Sequence, residues 1–140
     1  MIPLREVFLP DEAATLALGQ ELSESWRDGG LVFLHGDLGA GKTTLVRGLL
    51  AGLGWSGPVR SPSYALVNSY ATRPPVRHLD LYRVGSLDEA LSLDLDALFA
   101  DSLSLVEWPD VLEGTFCPDA VVRLTPCGDG RQAVIESRYS

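Results

Sequence analysis

The sequence predicts an α/β fold in which helices flank a mixed sheet, parallel near its centre and antiparallel towards its edges. Residues 31–35 (LVFLH) form a continuous apolar run, as strands do when both faces of a sheet are covered. Helical spacing of apolar residues resumes at 43–54, directly after a glycine-rich loop. Residues 64–72 and 76–84 are rich in strand formers, and the Arg-Pro-Pro between them predicts a turn between antiparallel neighbours.

The remaining elements follow in chain order. Residues 4–9 predict a short strand, and Asp11 then caps an amphipathic helix that runs to about Trp26 and ends at the pair Gly29-Gly30. Residues 86–100 are acidic and helical in pattern, with Ser86 as the capping residue.

The C-terminal part predicts three strands. Residues 102–109 (SLSLVEWP) form one strand that Pro109 terminates. Residues 119–126 and 131–139 form a closing hairpin over the turn Cys-Gly-Asp-Gly.

Length and charge limit the possible functions. A chain of 140 residues with 46% apolar composition predicts a single domain over residues 1–140. A formal charge of −8 disfavours direct binding to a nucleic acid backbone, because that affinity comes from Lys and Arg. Cys117 and Cys127 have neither zinc-site spacing nor a disulfide pattern, and the N-terminus suits neither a signal peptide nor a membrane span. We therefore expect a cytoplasmic protein.

The segment Gly36-Asp37-Leu38-Gly39-Ala40-Gly41-Lys42-Thr43 matches the pattern GxxxxGK[ST], in the strand-to-helix setting that this phosphate-binding loop requires. The glycines let backbone N–H groups curl around an anion, and the helix that follows adds its positive dipole end. The sequence therefore predicts a three-layer domain of the P-loop NTPase type.

Lys42 is the only lysine among 11 basic residues. Its compact ammonium suits the β- and γ-phosphates of ATP, for which an arginine fork is the wrong shape. The Thr43 hydroxyl is the expected ligand of Mg²⁺.

Phosphoryl transfer also needs an acid near Mg²⁺, and two residues compete for this role. Glu107 ends the predicted strand LSLVE at the edge where open α/β sheets bind ligands. Asp80 lies in HLDLY, whose alternation predicts a half-exposed strand facing the same crevice. The alternative for each is a turn or salt-bridge group, which the phosphate loop in so short a chain makes the less favoured interpretation.

Two further segments have two interpretations each. Residues 61–64 (Ser-Pro-Ser-Tyr) can be an element that senses the γ-phosphate or a plain surface turn. Trp108 can be a core or interface residue or a nucleotide contact.

Four blocks, GDLGAGKTTLVRGL, SPSYALVNSY, HLDLYR and LVEWPD, in this order and spacing, resemble the TsaE (YjeE) family. The similarity extends from LPDEAATLALG to GRQAVI. The resemblance implies a bacterial P-loop ATPase that acts with the TsaB and TsaD proteins in forming N6-threonylcarbamoyladenosine at position 37 of tRNAs that read codons beginning with A. It implies that tRNA is met only through that complex.

The resemblance also implies individual roles. Glu107 and Asp80 are expected beside Mg²⁺, with Lys42 as the third catalytic residue. The residues expected to bind ATP are Thr15, Asp37, Leu38, Gly39, Ala40, Gly41, Lys42, Thr43, Thr44 and Arg131. The chain departs from the family at Ser63, where threonine is usual, and in DEALSLDLDALF, where a glycine commonly precedes the second helical turn.

Two other functions use the same loop. A small-molecule kinase needs an acceptor pocket and an arginine-rich lid, for which RPPVR is the only nearby arginine cluster. A GTP-operated binding switch needs a guanine-reading motif, and no NKxD-like motif occurs. We therefore expect ATP with Mg²⁺, and weak hydrolysis without a partner because no obvious arginine finger accompanies the loop.

Overall fold

The computed structural model describes residues 2–37, 39–62 and 66–137. Within them the chain forms a seven-stranded sheet with the strand order β1-β7-β6-β2-β5-β4-β3. The strands are β1 (Ile2–Leu9), β2 (Gly30–His35), β3 (Val67–Tyr70), β4 (Val76–Asp80), β5 (Leu103–Glu107), β6 (Ala120–Cys127) and β7 (Gly130–Ser137). The helices are α1 (Glu12–Ser25), α2 (Lys42–Gly52), α3 (Leu87–Leu91) and α4 (Leu95–Ala100).

The sheet is mixed in the predicted way. Strand β2 pairs in parallel with both β5 and β6, and β4 pairs in parallel with β5. The pairs β3–β4, β6–β7 and β1–β7 are antiparallel and lie towards the two edges. The carboxyl ends of the parallel strands β2, β4 and β5 therefore lie side by side. In open α/β folds, ligands bind at this end of the strands.

Helices cover both faces of the sheet, so the domain has three layers. Along β2, Val32 and Leu34 pack into a buried cluster with residues of α1 and α2. The alternate residues Leu31 and Phe33 pack into a second cluster, with Ala90 of α3 and other residues of that face. This strand is buried on both sides, which explains its continuous apolar sequence.

Helices α1 and α2 approach each other closely at two glycines. A Cβ atom on Gly19 would lie 2.4 Å from the Leu45 carbonyl oxygen, and one on Gly48 would lie 2.3 Å from the Leu16 carbonyl oxygen. No side chain larger than hydrogen fits at either position without moving a backbone. This contact fixes α2 against α1. Because α2 follows the glycine loop directly, the contact also fixes the position of the end of the loop.

The structure differs from the sequence prediction at 86–100, where two short helices replace a single one. Ser86 caps α3 by accepting a hydrogen bond from the Glu89 N–H at 3.2 Å, as predicted. The helical path then breaks before α4 because Asp94 adopts a left-handed conformation with φ 56° and ψ 55°. The apolar periodicity continues across this break, so it could not reveal the change of backbone direction.

Smaller differences concern element ends. Strand β5 stops at Glu107, and Pro109 opens a 3₁₀ turn over Pro109–Leu112. The closing hairpin is tighter than predicted, because Cys127 and Gly130 pair with each other and leave a two-residue turn. No helix among the described residues is long and apolar enough to span a bilayer.

Asp94→Gly is expected to raise the free energy of unfolding by up to about 1 kcal/mol, because glycine adopts the left-handed conformation without the Cβ clash. The matched control is Ala97→Gly in α4, which is expected to lower it by about 1 kcal/mol. Both residues are exposed, so neither change opens a cavity. Urea titration measures both, and a destabilised Asp94→Gly variant would contradict this explanation of the helix break.

Candidate nucleotide-binding site

The glycine loop connects β2 to α2 and leaves the start of α2 uncapped. Gly41 is the N-cap residue, in a left-handed conformation with φ 101°, and it makes no side-chain capping bond. The first N–H groups of a helix have no partner within that helix, and they carry its partial positive charge. The start of α2 therefore offers N–H donors where an anion can bind.

Two cavities meet at this loop. The lysine cavity, of about 300 Å³, is lined by Gly39, Gly41, Lys42, Thr43, Thr44, Ser61, Asp80 and Glu107. The arginine cavity, of about 210 Å³, lies against Leu9, Pro10, Asp11, Glu12, Thr15, Gly39, Ala40, Gly41, Thr44, Asp129, Gly130 and Arg131. Because both cavities share Gly39, Gly41 and Thr44, one ligand can contact both sides of the loop.

Lys42 carries a buried charge at the start of α2. Its side chain is 5% exposed, and its Nζ lies 3.7 Å from Glu107 Oε1. Nζ also lies 4.1 Å from the centroid of the Trp108 ring. Among the described residues no group accepts a hydrogen bond from this ammonium, which has three donors to satisfy.

Burial lowers the pKa of Lys42 below its ordinary value, and the charges of Glu107 and Asp80 oppose this shift only in part. A lysine whose pKa is lower in the folded state costs stability at neutral pH, and this cost disappears as the pH rises towards the ordinary lysine value. An anion that brings oxygen acceptors to Nζ removes the same cost.

Glu107 ends β5 between two parallel neighbours and is 4% exposed. Its Oε1 faces Lys42, and its Oε2 lies 2.5 Å from Nε2 of His78, which is fully buried. Sequence reasoning missed His78. The signal was present in HLDLY, because His78 precedes Asp80 by two residues and so lies on the same face of the strand.

Asp80 ends β4 directly opposite Glu107 in the register of the two strands. The prediction of a half-exposed strand is wrong, since Asp80 is 5% exposed and most of β4 is buried. The strand lies between β3 and β5 and carries buried residues on both faces, which the alternation in HLDLY did not show. One carboxylate oxygen, Oδ1, accepts a hydrogen bond from the Tyr82 N–H at 2.9 Å.

The lysine cavity offers oxygen ligands that suit Mg²⁺. Thr43, at the second position of α2, lines it together with both carboxylates. No group of three His, Cys, Asp or Glu side chains able to hold a metal occurs among the residues described. A Mg²⁺ site that keeps several waters and takes further oxygens from phosphate needs no such group, so these residues fit the ion.

Arg131 holds the glycine loop from β7. Its Nη2 donates to the Gly39 carbonyl at 2.9 Å, its Nε to the Ala40 carbonyl at 3.2 Å and its Nη1 to the Gly130 carbonyl at 3.0 Å. Arg131, which is predicted to contact the nucleotide, therefore also holds the backbone of the glycine loop in place. Thr15 is buried across the same cavity, with its Oγ1 3.4 Å from the Asp11 carbonyl oxygen.

The other predicted residues lie as follows. Asp37 is exposed, and its carbonyl accepts a hydrogen bond from the Ala40 N–H at 2.9 Å. Ser61 lines the lysine cavity. Leu38, Ser63 and Tyr64 lie outside the described residues.

Trp108 connects Lys42 to the segment after β4. Its ring lies over the Lys42 ammonium, and its centroid is 4.9 Å from that of Tyr82. Its backbone has φ 54°, a costly conformation for a bulky residue and one that concentrates at functional sites. Trp108 therefore packs against a residue of the lysine cavity, and its role as a nucleotide contact stays a prediction.

The sequence model of the family described as "Threonylcarbamoyl adenosine biosynthesis protein TsaE" matches residues 9–133. The tRNA threonylcarbamoyladenosine biosynthesis protein TsaE of Streptomyces coelicolor is 50% identical over 95 residues, covering 65% of this chain and 64% of that protein. The protein of the same name from Synechocystis is 40% identical over 118 residues, covering 76% and 71%.

The crystal structure of Bacillus subtilis YdiB has the same fold. It matches with a TM-score of 0.72 and 23% identity, over 98% of this chain and 88% of that chain. The matched region spans less than two thirds of the Streptomyces coelicolor relative (64%) and of a relative from Nostoc (57%).

Arg131→Gln is expected to loosen the glycine loop, because it removes the guanidinium that holds two loop carbonyls. Hydrogen exchange of the Ala40 amide, which closes the turn on Asp37, should become about tenfold faster, equivalent to ~1.4 kcal/mol. Arg27→Gln, which breaks the exposed pair with Glu24, is the control and should leave this amide unchanged. Equal exchange rates in both variants would show that Arg131 does not hold the loop.

Proposed function

This chain belongs to the TsaE family of threonylcarbamoyladenosine biosynthesis proteins, and from that premise we propose that it is a Mg²⁺-dependent ATPase serving this tRNA modification. Its partners in this proposal are the TsaB and TsaD proteins, and TsaD performs the transfer of the threonylcarbamoyl group. ATP hydrolysis by this chain then resets the complex between turnovers, in the cytoplasm.

The observation that supports this proposal best is the Lys42 ammonium, buried at the uncapped start of α2 without a hydrogen bond to any described residue. A buried charge without acceptors is costly, and the oxygens of a β- or γ-phosphate supply the acceptors that it lacks. The N–H groups of the loop and helix bind the same phosphates. Three kinds of donor therefore converge on one anion.

The neighbouring side chains suit the metal and the attacking water. Thr43, Asp80 and Glu107 are the residues that would hold Mg²⁺ and its waters in the lysine cavity. When bound, the ion would neutralise charge that develops on the phosphate oxygens. A carboxylate held at the end of β5 can also orient a water for attack, as phosphoryl transfer to water requires.

In this proposal the nucleoside of ATP lies in the arginine cavity, on the other side of the loop. Thr15 and Arg131 line that cavity, and Thr44 borders both cavities. The absence of an NKxD-like guanine-reading motif from the sequence favours ATP over GTP.

Hydrolysis by the free protein should be slow. None of the described residues that line the lysine cavity is an arginine. Phosphoryl transfer gains a large factor from an arginine finger, so a partner surface that supplies one would complete the site. The net charge of −8 agrees with tRNA being held by the partners.

The proposed function is tested by tRNA modification over several turnovers at fixed TsaB and TsaD, with and without this protein. We expect repeated turnover only when it is present together with ATP and Mg²⁺. Equal turnover in its absence would refute the accessory role. Transfer of the γ-phosphate of ATP to a small-molecule acceptor instead of water would support the alternative function, a small-molecule kinase.

Lys42→Ala is expected to abolish ATP hydrolysis in the reconstituted complex, because the phosphates lose the buried ammonium of the lysine cavity. Arg47→Ala is the matched control on the same helix. It removes an exposed partner of Glu12 and should keep hydrolysis near that of the wild type. Phosphate release measured in both variants separates them, and continued hydrolysis by Lys42→Ala would overturn the role of the loop.

A further inference from the structure

His78 is a fully buried polar residue whose position the core does not explain. It lies in the middle of β4, with 0% of its surface exposed. Its Nε2 contacts Glu107 Oε2, whereas its Nδ1 is buried and has no hydrogen-bond partner among the described residues. An apolar side chain there would avoid this unsatisfied nitrogen, so the contact with Glu107 is the feature that a histidine adds.

The direction of this hydrogen bond follows from the chemistry of the two groups. An ionised carboxylate can only accept, so the proton in the bond is carried by Nε2 of His78. His78 is therefore a donor to one oxygen of Glu107. The other oxygen, Oε1, is left facing Lys42 at 3.7 Å.

This division of the two oxygens matters once a phosphate binds. Lys42 is then drawn to the phosphate, and Glu107 loses part of its interaction with the ammonium. The hydrogen bond from His78 does not involve the phosphate and remains. It keeps Glu107 in one rotamer and keeps a buried carboxylate from being left without any donor.

We propose that His78 is a positioning residue that acts through Glu107, holding Oε2 so that Oε1 stays turned into the lysine cavity. This inference rests on the proposed ATPase function and extends it to a residue outside that cavity. The effect belongs to the chemical step, because His78 does not line either cavity.

His78→Leu is expected to lower kcat for ATP hydrolysis in the reconstituted complex by about 10–100-fold, the usual effect of removing a residue that orients an active-site group. The KM for ATP should change by no more than about threefold, because phosphate binding depends on Lys42 and the loop. His78→Gln places an amide donor near the position of Nε2 and should recover most of kcat.

Val76→Ala is the matched control for general damage to the sheet. Val76 is fully buried on the same strand, two residues before His78, and its neighbour on β5 is Leu103 rather than Glu107. This variant should lower the melting temperature but keep kcat at 20 °C near the wild-type value. A loss of kcat in Val76→Ala as large as in His78→Leu would assign the effect to instability.

A double-mutant cycle separates positioning from a structural role. If His78 acts through Glu107, His78→Leu should have little further effect on kcat in the Glu107→Gln background. Multiplied losses in the double variant would overturn the proposal.

A second measurement needs no ATP. The chain has two histidines, so ¹H–¹⁵N spectra of the nucleotide-free protein resolve the ring signals of His78 from those of His35. We expect a protonated Nε2 in His78 whose signal shifts in Glu107→Gln. A ring without a proton on Nε2, or an Nε2 signal that does not change in Glu107→Gln, would overturn the hydrogen bond on which the inference depends.

The outcomes distinguish the two proposals. Hydrolysis by the wild type together with an unchanged kcat in His78→Leu refutes the role of His78 alone. Absence of hydrolysis by the wild-type complex refutes the proposed function and the role of His78 in it. If His78→Leu fails to fold, His78→Gln and the spectra of Glu107→Gln decide the question.

Discussion

The arrangement of the candidate site depends on the burial of one positive charge, that of Lys42. Lys42 is the only lysine in the chain, and its buried ammonium has no hydrogen-bond acceptor among the described residues. The fold tolerates it through a carboxylate at 3.7 Å and an aromatic face at 4.1 Å, both weaker partners than a hydrogen-bonded anion. The unsatisfied ammonium thus makes the nucleotide-free protein less stable than it could be, and binding of a phosphate offsets the difference.

The sheet topology brings the partners of this charge together. Asp80 and Glu107 are far apart in the sequence, yet β4 and β5 pair in parallel and place them side by side at one edge. Strand β2 delivers the glycine loop to the same edge. The close contact of α1 with α2 at Gly19 and Gly48 then fixes where α2 begins. A shift of any of these elements by one residue would separate Lys42 from the two acids.

Much of this could be predicted from the sequence, because it depends on local patterns. The glycine loop, the parallel centre of the sheet and the placement of Glu107 at a strand end all follow from short motifs and periodicity. Two features depend on tertiary contacts that no local pattern records, namely the hydrogen bond of His78 to Glu107 and the hydrogen bonds of Arg131 to the loop. The left-handed Asp94, which divides the helical stretch into two helices, was missed because the apolar periodicity continues across it.

The Lys42 ammonium, which donates no hydrogen bond to a described residue, is expected to gain its acceptors when a phosphate binds. NMR titration of the protein grown with ¹³C-labelled lysine tests this directly, because the single lysine gives a single side-chain signal. We predict a pKa below the ordinary lysine value without nucleotide, since burial disfavours the charged form, and a rise in this pKa when ATP and Mg²⁺ bind. An ordinary pKa that nucleotide leaves unchanged would contradict the account.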